Sequence, residues 1–272
     1  MCCVPFDTAQ RQQCRGGIGV DYNILLNLGV ELGCQLMESG AEIYRVEDSI
    51  ARLMRAYGAQ NAQVFAIPSC LIVSVTPPDG HPITRLCRIP AHGTDLDHME
   101  LCNDLCRSLC RETPSLEQAH AQLQQLLARR PRFSTAAILA GHALVGAFFT
   151  PFFGGSLRDG LFGGLCGLSI GLTSHLLSKL PGNNSFFRTL LSSALAAILA
   201  LVFVRLGLAQ HADAITIGAL MLLVPGVALT TAMREIVAGD ILSGMTHVTD
   251  SILTATTIAL GTGAALLAGQ LL

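Results

Sequence analysis

The sequence predicts a membrane α-helical bundle of five transmembrane helices, preceded by a small cytoplasmic α+β domain. Of its 272 residues, 51% are hydrophobic and 13% are charged. The charges are concentrated in residues 1–134, which hold 12 of the 17 Lys and Arg and 14 of the 19 Asp and Glu. The first half therefore has the composition of a soluble domain, and the second half that of a membrane bundle. We expect a tail at 1–19, the α+β domain at 20–133 and the transmembrane domain at 134–272.

The predicted cytoplasmic domain begins with two amphipathic helices, because apolar residues recur there at helical spacing. The spacing of apolar residues then changes to the alternation typical of strands. Pro77-Pro78-Asp79-Gly80 predicts a turn before the last of three strands. Two further helices complete a small α+β domain. In order, the expected elements are helices at about 20–38 and 42–57, strands at 63–67, 70–76 and 83–89, and helices at about 95–112 and 115–130.

The predicted domain offers little catalytic chemistry, and we expect the protein not to be an enzyme. The domain contains no GxSxG, P-loop, HExxH or GxGxxG motif. The chain has ten cysteines, but their spacing does not indicate a disulfide framework, and free thiols are expected in a reducing compartment. His98, Cys102, Cys106 and Cys110 recur every four residues and share a helix face. We interpret them as a packing stripe, with a soft-metal or redox site left open, and assign no cofactor and no metal.

Five transmembrane spans fit the second half of the chain. Four are close to the length of roughly 20 residues that crosses a bilayer, and the fifth is longer and could tilt. With the N-terminal domain in the cytoplasm, six basic residues lie inside and only Arg158 and Arg205 lie outside, which satisfies the positive-inside rule and places the C-terminus outside. The start of the chain has no apolar h-region, so no cleaved signal peptide is expected. The expected spans are about Thr135–Phe153, Gly160–Ser178, Thr189–Leu208, Ala214–Met233 and Met245–Gln270.

Small residues and a proline mark the second and fourth spans. The second span carries glycines spaced four apart, which favours tight helix packing, with contact between subunits as a sharper alternative. In the fourth span, Pro225 removes a backbone hydrogen bond and Gly226 loosens the turn. This pair predicts either a simple kink or a discontinuous helix whose freed backbone groups line a substrate site. The glycines are Gly160, Gly163, Gly164, Gly167 and Gly171.

The fifth span carries the most specific polar pattern. An ionisable residue near the bilayer centre costs on the order of 3 kcal/mol, yet polar residues here alternate by three and four positions and share one helix face. We interpret this face as the wall of a transport pathway, with contact to a partner helix as the alternative. Asp250 is the candidate to carry a coupling proton and His247 to share it, whereas Arg234, Glu235 and Asp240 are expected near the cytoplasmic interface. The face comprises Asp240, Ser243, His247, Asp250, Thr254, Thr257 and Gly261.

Three stretches resemble the N-terminal half of the threonine/serine exporter family (ThrE type): MESGAEIYRVEDSIARLMRAYG, AIPSCLIVSV and LLVPGVALTTAMREIVAGDILSGMTHVTDSILTATTIALG. In length, the chain is similar to the half-size YjjP-like members of that family. The resemblance implies a bacterial inner-membrane exporter of small hydrophilic metabolites, driven by an ion gradient. Members occur as one ten-span chain or as two half-size proteins, which implies a small multispan partner of the C-terminal-half type here, in a homo- or hetero-oligomer. The resemblance carries over to Gly40, Glu42, Pro225, Gly226, Glu235, Gly239 and Gly244.

The sequence does not decide between two classes of substrate, and it is also compatible with one other class of function. The fused branch of the family is associated with threonine and serine, and the half-size branch with dicarboxylates such as succinate. The alternative function is a membrane-anchored ligand sensor or assembly subunit whose spans only dock a partner. Asp159, His142 and His175 are weaker candidates for the pathway, because span ends tolerate polar groups. With a net charge of -2, nucleic acid is not an expected partner.

Overall fold

The protein folds as two units, Met1–Arg129 and Arg130–Leu272, each with a buried apolar interior. The computed structural model describes residues 21–59, 61–90, 93–129, 132–179 and 184–271. The predicted tail at 1–19 and the basic residue Arg130 lie outside these ranges.

Four helices and one three-stranded antiparallel sheet make up the first unit, in the predicted order. They are α1 (Tyr22–Glu38), α2 (Ile43–Ala56), β1 (Ala62–Ile67), β2 (Cys70–Val75), β3 (Ile83–Arg88), α3 (Leu96–Glu112) and α4 (Leu116–Leu127). The Asp21 carboxylate caps α1 by accepting hydrogen bonds from two backbone N–H groups, at 2.9 and 3.3 Å. The strands pair in the order β1-β2-β3, with Ala62 opposite Val75 and Cys70 opposite Arg88.

The first unit is arranged in three layers. α1 and α2 pack on one face of the sheet, and α3 and α4 pack on the other side of those two helices. The leucines that predict α1 are fully buried in this arrangement, together with Ile50 and Leu53 of α2 and Leu71 of β2. The opposite face of the sheet is exposed among the described residues, where Phe65 and Leu86 lie. Burial of the two helices therefore supplies most of the apolar interior.

The cysteines depart from the expectation in one respect. Cys34 of α1 and Cys87 of β3 form a disulfide, so the expectation of free thiols throughout is wrong for this pair. The two residues are separated by 53 positions in the sequence, and they meet because α1 lies across β3. Such a pairing depends on tertiary packing and is not visible in the spacing of cysteines. Five described cysteines are free: Cys70, Cys102, Cys106, Cys110 and Cys166.

The stripe of His98 and three cysteines on α3 is a packing surface for most of its length. Cys102 and Cys106 are buried in the core, and the Cys106 thiol donates to the carbonyl oxygen of Ser49 at 3.6 Å. The His98 ring is directed elsewhere, with Nε2 at 3.0 Å from Oε1 of Gln35. Over the part of the chain that the structure describes, no group of His, Cys, Asp or Glu is arranged to hold a metal ion.

Burial raises the pKa of the Cys102 thiol to about 11 and that of the Cys106 thiol to about 12. Because the thiolate is the reactive form, both residues should resist alkylation by iodoacetamide in the folded protein at mildly alkaline pH. Mass spectrometry of peptides after timed alkylation measures this directly. Denatured protein, in which both thiols react, is the control, and rapid labelling of either residue in the folded state would contradict the burial described above.

The second unit is entirely helical over its described residues. Its helices are α5 (Thr135–Phe152), α6 (Leu157–Ser178), α7 (Ser185–Arg205), α8 (Ala212–Leu220), α9 (Gly226–Ala238) and α10 (Ile241–Leu271). Four of them, α5, α6, α7 and α10, are long and apolar enough to cross a membrane. The predicted fourth span, about Ala214–Met233, is instead divided between α8 and α9. The five-span count is therefore not confirmed by helix length alone.

The glycines of α6 lie where α6 meets α5. A methyl group at Gly163 would lie 2.7 Å from the carbonyl oxygen of Gly146, and one at Gly160 would lie 2.8 Å from that of Ala147. Both distances are shorter than ordinary contacts, so only glycine permits this separation of the two backbones. Gly164, Gly167 and Gly171 also lie within contact distance of α5.

The helices α7 and α10 pack side by side and run in the same direction. A methyl group at Gly261 would lie 2.5 Å from the carbonyl oxygen of Leu190, and one at Gly269 would lie 2.5 Å from Cδ1 of Leu201. Residue numbers rise together along the two helices, which defines a parallel pair. The C-terminal half of α10 therefore lies along α7, and the chain that leaves the end of α7 must return past the start of α7 before α10 begins.

Candidate transport site

The backbone is interrupted between α8 and α9. α8 ends at Leu220, α9 begins at Gly226, and Pro225 occupies the N-cap position of α9. Proline has no N–H to donate to the carbonyl of Met221, and the N–H of Gly226 donates to the carbonyl of Val224 at 2.9 Å. The structure therefore shows the discontinuous helix rather than the simple kink. Interruptions of this kind leave backbone groups available to bind polar solutes inside a membrane protein.

A short turn folds α9 back against α10. Gly239 ends α9 with φ +103°, a left-handed conformation that glycine adopts without a steric cost. The chain then continues through Asp240, whose backbone N–H donates to the carbonyl of Glu235 at 2.9 Å. On α10, a methyl group at Gly244 would lie 2.8 Å from the carbonyl oxygen of Ala232. The two glycines therefore bring α9 and α10 close together.

This close contact encloses a carboxylate. The Glu235 side chain is 0% exposed, and its Oε2 lies 3.7 Å from Nε2 of His247 on α10. The His247 side chain is 19% exposed. Taking an ion out of water costs several kcal/mol, and an oppositely charged neighbour offsets part of that cost. The pair is consequently an ionisable group held at a close contact between two helices.

The other residues of the predicted pathway are distributed around this pair. Asp240 is half-buried in the turn between α9 and α10, whereas Asp250 is exposed on the surface of the chain. Thr254 is half-buried and Thr257 is buried, with its hydroxyl donating to the carbonyl of Leu253 at 2.7 Å. The sequence favours Asp250 as the carrier of a coupling proton. In the fold, however, Asp250 is exposed and Glu235 is the buried carboxylate of α9 and α10. The helical period of α10 places Ser243, His247, Ser251, Thr254 and Thr257 toward the interior.

Sequence reasoning gave too little weight to Asp159, which begins α6. Its carboxylate is fully buried and accepts hydrogen bonds from the backbone N–H and hydroxyl of Ser156 at 2.9 and 2.8 Å. It also accepts from the backbone N–H of Gln210 at 2.7 Å and from Nδ1 of His211 at 2.9 Å. Asp159 therefore fastens the loop before α8 to the start of α6. The capping-box pattern Ser156-x-x-Asp159 was the available sequence signal, but the partner loop is 51 residues away.

Comparison with known proteins places this chain in a family. Residues 27–268 match the ThrE family model, described as "Putative threonine/serine exporter". The chain is 23% identical over 257 residues to a protein of Mycobacterium tuberculosis named "Probable threonine/serine exporter", and the match covers 93% of this chain and 48% of that protein. It is also 22% identical over 242 residues to an uncharacterized protein of Schizosaccharomyces pombe, covering 84% of this chain and 32% of that one.

No solved structure matches the chain. The chain spans about half the length of the mycobacterial relative and about a third of the yeast one. The similarity therefore concerns the part of those proteins that corresponds to this chain.

Proposed function

Since the chain belongs to the threonine/serine exporter family, we propose that it is a subunit of a secondary-active exporter of small polar metabolites in the bacterial inner membrane. The observation that carries the proposal is the interrupted helix α8–α9, whose second half encloses Glu235 against His247. Transporters often place substrate and coupling ions at such interruptions. A protein that only docks a partner has no need of a buried ionisable pair beside a broken helix.

The parallel arrangement of α7 and α10 supports five crossings of the membrane. If α7 crosses outward, the chain must return before α10 can cross in the same direction, and α8 with α9 is the segment that returns. These two helices and their connection contain 27 residues between Ala212 and Ala238, which is enough to cross a core of about 30 Å. The positive-inside rule supports a cytoplasmic N-terminal domain and a C-terminus on the outside.

We assign the transport pathway to the interruption and to the polar side of α10. The contributing residues are Pro225, Gly226, Glu235, Asp240, His247, Asp250, Thr254 and Thr257. The exposed Asp250 supports a second subunit, because a carboxylate facing lipid is costly and is therefore usually placed toward a cavity or a partner. The coverage of 48% of the mycobacterial relative supports the same inference. The proposed partner is a small multispan protein of the C-terminal-half type.

The charges around the interruption favour a substrate that carries an ammonium group. Glu235, Asp240 and Asp250 all lie on or between α9 and α10. Arg205 donates to the carbonyl of Gly269, at the far end of α10, so it lies away from these groups. A threonine- or serine-type amino acid has the ammonium group that such carboxylates bind. A dicarboxylate such as succinate is the alternative, and Arg234 of α9 or a cationic site from the partner would have to bind it.

The test is efflux of labelled threonine and labelled succinate from cells that lack the protein and its partner. Restoring both proteins should restore threonine efflux, and collapsing the ion gradient should stop it. Restoring either protein alone should leave efflux at the level of the deleted strain, because the pathway is completed by two subunits. Efflux of succinate without efflux of threonine would show that the substrate is a dicarboxylate and not an amino acid. Efflux of neither, in any combination, would favour the sensor or assembly function.

A further inference from the structure

The contact between α9 and α10 places an imidazole between a buried carboxylate and the surface. Glu235 is 0% exposed and His247 is 19% exposed, with Oε2 and Nε2 separated by 3.7 Å. A histidine side chain gains and loses a proton close to neutral pH, and each of its ring nitrogens can carry one. The geometry therefore offers a route by which a proton from solvent reaches Glu235 through His247.

The charged groups around the pair are few and mostly at the periphery. On α9, Arg234 precedes Glu235 and is exposed; in the turn, Asp240 is half-buried; on α10, Asp250 lies three residues after His247 and is exposed. α7, which also packs on α10, contributes Leu190, Ser193 and Leu201 to the contact. Its charged residues within the described part of the chain are Arg188 near its start and Arg205 at its end.

We propose that Glu235 and His247 form a proton-binding site whose occupancy controls the packing of α9 against α10. The proposal extends the proposed exporter function, and any role of the proton site in transport rests on that function. With one proton on the pair, the net charge is zero, whether the proton is on the carboxylate or on the imidazole. Loss of that proton leaves a net negative charge, which a closed contact between two helices disfavours.

Proton loss should therefore open this contact. Water can hydrate Glu235 only if α9 moves away from α10, and α9 is connected to the interruption at Pro225. Proton binding reverses the change: the proton passes from solvent to the His247 ring and from its Nε2 to Oε2 of Glu235. The present 3.7 Å separation exceeds hydrogen-bond distance, so the transfer itself requires a closer approach of the two helices. Occupancy of the site and opening of the interruption are thereby linked.

Hydrogen–deuterium exchange of the purified full chain tests the proposal without any substrate. The amides of α9 should lose protection as pH rises through neutrality, by about tenfold or more after correction for the intrinsic pH dependence of exchange. In Glu235→Gln the side chain is neutral at every pH, so α9 should stay protected and its pH dependence should disappear. His247→Gln leaves the Glu235 carboxylate as the titrating group of the pair, so α9 should still lose protection as pH rises, but with a midpoint different from that of the wild type.

The matched control is Asp213→Asn, an acid-to-amide change at an exposed position on α8. It should leave the pH dependence of α9 unchanged. Amides of α6, which is packed against α5 through glycine contacts, provide an internal reference for global unfolding. Protection of α9 that does not change with pH in the wild type would overturn the proposal. So would a pH dependence that persists in Glu235→Gln.

A transport measurement separates this proposal from the exporter function. Glu235→Gln should abolish efflux driven by a proton gradient, while the wild type shows efflux that varies with pH. If exchange behaves as expected but neither threonine nor succinate is exported by the wild type, the exporter function fails and the proton site stands. If efflux occurs and Glu235→Gln retains its full dependence on the proton gradient, the proton site fails and the exporter function stands.

Discussion

Replacing Gly163 by alanine is expected to force α6 away from α5 and to lower the melting temperature of the membrane unit. The new methyl group would lie 2.7 Å from the carbonyl oxygen of Gly146 and closer still to the Thr150 hydroxyl. A backbone carbonyl cannot move aside as a flexible side chain does, so the two helices must separate. Overpacking typically costs about 1–3 kcal/mol, and we expect the upper part of that range here. Thermal unfolding of the purified protein in detergent, followed by circular dichroism, measures the change.

The control for this prediction is Gly141→Ala, the same substitution on the neighbouring helix α5. Among the described residues, no atom beyond the local backbone of α5 lies within 4 Å of the position that its methyl group would occupy. Alanine has a higher helix propensity than glycine by roughly 1 kcal/mol. The control should therefore be neutral or stabilising, whereas Gly163→Ala should be destabilising. Equal melting temperatures for the two variants would show that the contact between α5 and α6 is looser than described.

Replacing Asp159 by alanine is also expected to destabilise the membrane unit. The substitution removes the acceptor for the backbone N–H of Gln210 and for the ring of His211, and it leaves those donors without their partner at the α6 terminus. A buried polar group that loses its hydrogen bond costs about 1–3 kcal/mol, and more than one such bond is lost here. We expect a loss of at least about 2 kcal/mol in unfolding free energy. Thermal unfolding in detergent measures the loss.

Two further variants define the origin of this loss. Asp159→Asn keeps one carbonyl acceptor and the size of the side chain, so its melting temperature should fall between those of the wild type and Asp159→Ala. Asp213→Ala removes an exposed acid from the first turn of α8, where the helix dipole contributes about 1 kcal/mol or less. If Asp159→Ala is no more destabilising than Asp213→Ala, the Asp159 carboxylate does not fasten the loop to α6.

The two destabilising variants differ from Glu235→Gln in what they change. Gly163 and Asp159 lie at contacts of α6 with α5 and with the loop before α8, and both should lower stability. Glu235→Gln removes a buried charge without changing the shape of the side chain. Such a change is expected to leave the closed contact intact, or even to stabilise it, while abolishing its response to protons. Different substitutions should therefore change either the stability of the unit or its response to protons, but not both.

Local sequence patterns are sufficient to predict the helices and strands of this protein. Hydrophobic period predicts the helices and strands of the first unit, and all seven appear in the predicted order. Length and apolarity predict α5, α6, α7 and α10 as spans. The glycine spacing of α6 and the Pro225-Gly226 pair indicate close packing and an interruption. These features are local because each depends on residues that are neighbours along the chain or along one helix.

Which polar groups are buried depends instead on tertiary packing. Glu235 and Asp250 are both acidic residues beside an apolar span, yet the first is buried against His247 and the second is exposed. Asp159 meets His211, and Cys34 meets Cys87, across separations of 52 and 53 residues. The periodic pattern of hydrophobic residues does not predict such pairs. Burial depends on which face of each helix is covered by a neighbouring helix. The chain therefore specifies its helices locally, while the candidate proton site exists only because Gly239 and Gly244 bring α9 against α10.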